Sequence, residues 1–145
     1  MSRRFGRFLR DAGGATAVEF ALVAVPFLML LVGGVEFGRM AWTRQALQQT
    51  AVIGARCMGI LASGCASSGA YSLSNTQTYL TSVAAGYGVV LAPANMTLNR
   101  SATCAGLSGF SSVSLSYTFQ TAVPGLVQAL NAKTMTAQAC FPNDV

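Results

Sequence analysis

The chain has 145 residues, is 52% hydrophobic and 9% charged, and carries a formal net charge of +5, which leaves room for one small domain beside a membrane segment. It has no histidine, and no Asp or Glu lies between Phe37 and Asn143. That excludes carboxylate acid–base pairs, Ser-His-Asp and Cys-His nucleophiles, and carboxylate or imidazole metal sites from everything beyond the N-terminal third, so the expectation is no enzyme, no cofactor and no metal.

The first segment, Met1 to Gly14, holds Arg3, Arg4, Arg7 and Arg10 against Asp11. It thus supplies +3 (four minus one) of the +5, and the high isoelectric point reports a topogenic leader rather than a nucleic-acid surface. From Ala15 to Val35 the chain is apolar over roughly the 20 residues a helix needs to cross a bilayer core. The leader arginines hold the N-terminus on the cytoplasmic side, which puts the C-terminal part outside. Pro26 falls mid-run, where it removes one backbone hydrogen bond and permits a kink. Glu19 sits in the same run, and a charge there costs about 2.5–3.5 kcal/mol on insertion scales unless a partner offsets it. A secretory signal would need a small-x-small site after the run; Gly33-Gly34-Val35-Glu36-Phe37-Gly38-Arg39 offers none. A plain single-pass anchor accounts for length and charge but gives Glu19 no purpose.

The helix is expected to continue to about residue 62. Phe37, Met40, Leu47, Ala51, Gly54, Met58 and Leu61 follow a three-four alternation, broken by Arg44, with Thr43, Gln45, Gln48, Gln49 and Thr50 between them. Phe37 and Trp42 suit an interfacial aromatic belt, and Gly34-x-x-x-Gly38 is a weak helix-contact motif. Ser63 to Gly69 reads as a loop. A second helix is predicted over 74–86, capped by Ser72 or Ser74, with Tyr79, Leu80, Val83, Ala84 and Tyr87 on one face. Strands follow: Met96 with Leu98; Val113 to Phe119, the clearest period-two stretch; and Met135, Ala137 and Ala139. Pro124-Gly125 opens a turn or short helix with Leu126, Val127 and Leu130.

Four cysteines behind an export-type N-terminus imply an oxidising compartment, and four allow three pairings. Their spacing contains no C-x-x-C knuckle, which argues against zinc; four free thiols remain the alternative. Cys57 lies close enough to Cys65 for a local staple. An antiparallel three-strand meander sets its first and third strands parallel, with Cys104 and Cys140 at equivalent ends. Those two pairings are preferred. The expected fold is α+β: a long N-terminal helix over 15–62 (15–35 transmembrane), then a small antiparallel sheet and a second short helix over 63–145.

Gly14-Ala15-Thr16-Ala17-Val18-Glu19-Phe20 after a basic leader resembles a type IV prepilin N-terminus. The wider stretch, Arg10-Asp11-Ala12-Gly13-Gly14 through Glu19-Phe20-Ala21-Leu22-Val23, then Pro26-Phe27-Leu28 and Val35-Glu36-Phe37-Gly38-Arg39, is similar to TadE-like proteins, minor pilins or pseudopilins of the tight-adherence (Tad) pilus. That resemblance covers roughly Arg10 to Ala62. It implies a pilin-like fold and removal of residues 1–14 by a prepilin peptidase between Gly14 and Ala15. It also implies assembly through the N-terminal helix, where Glu19, followed by Phe20, meets the terminal amine of a neighbour. The implied partners are other major and minor pilins, the prepilin peptidase, an inner-membrane assembly platform and membrane lipid. The implied localisation is the bacterial inner membrane before assembly and the extracellular pilus after it, in adhesion. The rival is an unprocessed single-pass envelope protein with a partner-binding outer domain.

Overall fold

The computed structural model describes residues 12–125 and 128–144. Helix α1 runs Ala12–Gly59; the two-residue strands β1 (Ala66–Ser67) and β2 (Ala70–Tyr71) form a hairpin; helix α2 is Leu73–Gly86. Strands β3 (Met96–Cys104), β4 (Leu107–Phe119) and β5 (Lys133–Pro142) form an antiparallel sheet in the order β3-β4-β5, with short 3-10 turns at Pro93–Asn95 and Gln128–Leu130. The chain is α+β, and it divides between Glu36 and Phe37 into two compact units.

In the first unit, α1 is long and apolar enough to cross a membrane, and none of its most apolar window is buried. Pro26 is accommodated within the helix. The expected leader residues Met1 to Asp11 lie outside the described residues, as do Leu126 and Val127.

In the second unit the rest of α1 supplies one wall of the core. Ala46, Leu47, Ala51, Ala55 and Met58 are buried with Leu80 and Ala84 of α2 and with Val113, Leu115 and Phe119 of β4. The small residues let neighbours come close. A Cβ at Gly54 would stand 2.6 Å from Leu80 Cδ2, and one at Gly59 would stand 2.8 Å from the Pro142 carbonyl oxygen. The buried face differs from the expected stripe at three positions. Phe37 is 60% exposed, whereas Thr43 and Thr50, expected on the polar side, are buried. Threonine tolerates this because its hydroxyl bonds back along the helix: Thr43 Oγ1 donates to the Arg39 carbonyl at 2.9 Å and Thr50 Oγ1 to the Ala46 carbonyl at 2.8 Å.

Helix α1 stops at Gly59, short of residue 62, because Leu61 adopts φ +50° and the Ala62 N–H reaches back to the Cys57 carbonyl at 3.0 Å. That six-to-one closure is a Schellman-type end. Helix α2 begins where Ser72 accepts the Asn75 N–H and ends at Gly86, the chain turning away at Gly88 (φ +79°) with the Val89 N–H bonded to the Ala84 carbonyl. Two tight hairpins share one device: Ser68-Gly69 and Ala105-Gly106 each place two successive residues at positive φ, the type I′ geometry that matches strand twist. The β1–β2 hairpin occupies what reads in sequence as loop. Both β4 and β5 are longer than their alternating segments, because register pairing runs from Phe119↔Lys133 to Phe110↔Pro142.

Candidate functional site

The residues expected to carry assembly lie early in α1. Gly14 and Ala15 fall within the helix, and Glu19 and Phe20 follow one turn later with exposed side chains. Around them Val18, Phe20, Leu22, Val23, Phe27 and Leu30 are all more than half exposed, Phe20 at 75%. An apolar surface of this extent is stable in hydrocarbon or against other apolar helices, and is not stable facing water. Glu19 is the one acidic residue set into it, and placing a charge in hydrocarbon is costly without a compensating partner.

The cysteines form two bridges. Cys57 at the end of α1 bonds Cys65, with their Cα atoms 5.8 Å apart, and Cys104 of β3 bonds Cys140 of β5 at 6.5 Å. Both are the pairings preferred from spacing and topology. The second needs β3 and β5 to converge although both pair with β4, and β3 is irregular at this end, with register shifts at Asn99/Ala102 and Ala102/Cys104. Such bulges bend a strand, here toward Cys140.

Two clefts of the folded unit carried no signal in the sequence, because each joins residues distant in the chain. One, about 390 Å³, is lined by Arg39, Trp42, Tyr117, Phe119 and Gln120 among others. The Arg39 guanidinium carbon lies 5.7 Å from the Phe119 ring centroid, within cation–π range. Trp42, 61% exposed, is oriented by donating from Nε1 to the Tyr87 carbonyl at 3.1 Å. The other, about 380 Å³, lies between α1 and β5.

The family model described as TadE-like protein matches residues 14–56. The N-terminal helix carries a TadE-like domain. The match begins at Gly14 and ends one turn before α1 does, so it covers the apolar run and the helical wall of the core but not the sheet. This relates the chain to the Tad pilus, as a protein with an N-terminal helix long and apolar enough to anchor it in a membrane. No curated protein matches, and no solved structure does.

Proposed function

We propose that this TadE-like chain is a minor pilin or pseudopilin. It inserts with its N-terminus in the cytoplasm, is trimmed between Gly14 and Ala15, and joins or initiates assembly of a Tad-type adhesive pilus by packing its N-terminal helix against other pilins. The observation that carries this is the coincidence of three features on one helix: the TadE-like match starting at Gly14, the exposed apolar surface that follows it, and Glu19 set within that surface. Trimming would create an amine at Ala15, and the Glu19 carboxylate of one subunit would meet that amine in the next. The pair offsets a desolvation cost that neither charge could bear alone. The sheet-bearing unit then projects outside, with a surface of Ser, Thr, Asn and Gln suited to packing among neighbours.

The experiment is to replace the wild-type chain in the pilus-bearing cell by Glu19→Ala or Glu19→Gln and measure incorporation into the pilin complex. Both variants are expected to insert in the membrane normally while incorporation falls at least about ten-fold, the loss expected when one partner of a buried charge pair is removed. Undiminished incorporation would rule out Glu19 as the assembly charge.

A further inference from the structure

The folded unit keeps its charges apart. Of its five cations, Arg39, Arg44, Arg56, Arg100 and Lys133, three gather at the end where the apolar run joins it. Arg39 and Arg44 lie on the first turns of the unit's helix, and Lys133 opens β5, in register with Phe119, whose ring carries Arg39. The unit's one carboxylate side chain, Asp144, belongs to the other end. Its N–H bonds the Gly59 carbonyl, which lies roughly 20 Å along the helix from Arg44 at 1.5 Å per residue. Glu36, the carboxylate nearest in sequence to the basic end, is 4% exposed.

Between α1 and β5 this end opens the cleft of about 380 Å³, lined by Phe37, Met40, Arg44, Lys133 and Met135 with small neighbours. Its walls combine Phe37, Met40, Ala41 and Met135 with Thr134 and Thr136, and two cations line it. Phe37 is exposed and lies two residues beyond the end of the apolar run at Val35, on the same helix. We infer that this cleft holds the headgroup of an anionic phospholipid. Arg44 and Lys133 take the phosphate, and Phe37, Met40 and Met135 lie against the glycerol and uppermost acyl carbons. Charge complementarity favours this occupant, since basic residues beside a membrane segment attract anionic lipid. Continuity with the apolar run favours it too, since the cleft sits on the helical turns that leave the anchor. The inference rests on α1 being a membrane anchor and is independent of trimming at Gly14.

The test uses the full chain in phosphatidylcholine nanodiscs, with methionine methyl groups labelled for NMR. Replacing part of the phosphatidylcholine by phosphatidylglycerol is expected to shift the Met40 and Met135 methyls in a saturable way. Met58 and Met96, which are buried as Met135 is but do not line the cleft, should stay in place. R44Q/K133Q should weaken the response by about five-fold per cation removed, and R56Q should leave it intact. The inference is overturned if the Met40 and Met135 shifts are absent, if they persist in R44Q/K133Q, or if inorganic phosphate alone reproduces them. Doxyl-labelled acyl chains that broaden Met29 report the anchor separately. Broadening of Met29 without a cleft response removes the lipid site and leaves the anchor standing, whereas an unaffected Met29 removes both.

Discussion

Asn143 makes three hydrogen bonds from one position near the end of the described chain. Its Nδ2 donates to the Arg100 carbonyl at 2.7 Å, its Oδ1 accepts from the Ser111 hydroxyl at 2.6 Å, and its backbone N–H donates to the Gly109 carbonyl at 2.9 Å. Ser111 is fully buried, so Asn143→Ala strands its hydroxyl. The expected cost is about 1–3 kcal/mol, the penalty for an unsatisfied buried polar group, read as a lower urea midpoint at unchanged slope. An unchanged midpoint would show that Ser111 finds another partner. None of this was legible in sequence, where an Asn beside the C-terminus is indistinguishable from a solvated one. The buried threonines were illegible for a related reason. A periodicity count scores Thr43, Thr50 and Thr76 as polar, but each hydroxyl is satisfied within its own helix, Thr76 by donating to the Ser72 carbonyl at 2.8 Å, so each can face the core. Glu19 stands out in the sequence because the run that follows it is apolar, and it is proposed as the assembly charge on that ground together with its exposed place on α1.

At the level of elements, the two disulfides constrain the fold unequally. Cys104–Cys140 closes a separation of 36 residues and ties the two outer strands of the sheet, while Cys57–Cys65 closes 8 residues next to the end of α1. Loop-closure entropy assigns about 3.8 kcal/mol to the longer loop and about 2.6 to the shorter. The double variant C104A/C140A is therefore expected to lose more thermal stability than C57A/C65A when the full chain is melted in detergent and followed by circular dichroism. The reverse order would show that the Cys57 staple holds more of the fold than its loop length implies. Spacing and an assumed meander were enough to prefer both pairings, because element order and strand direction follow from alternation. Turn chemistry was not readable to the same degree. Ala105-Gly106 forms a tight I′ hairpin with alanine where Asn or Asp is the usual signal, and Ser68-Gly69 hides a two-residue hairpin in a stretch that composition marks only as loop. The early stop of α1 at Gly59 belongs with these, since nothing about leucine announces the left-handed turn at Leu61.

For the whole molecule, the division between Glu36 and Phe37 separates an exposed apolar helix from a packed core. The residues before it leave large apolar side chains exposed, those after it build a disulfide-stapled core, and the TadE-like match over residues 14–56 runs across the division. The sequence shows the same contrast, since its apolar run ends near Val35 and polar residues recur from Arg39 onward. The clefts at the basic end were hidden because they join the middle of α1 to β4 in one case and to β5 in the other. The organisation proposed for the molecule is that of a prepilin: a leader, a cut after Gly14, an assembly helix and a projecting domain. The most direct test is the intact mass and N-terminal sequence of the membrane-extracted chain, expressed with an active prepilin peptidase and with an inactive one. Loss of the mass of Met1 to Gly14, with Ala15 as the new terminus, only when the peptidase is active, is the predicted result. A full-length chain in both cases would contradict it and leave an unprocessed membrane anchor in its place.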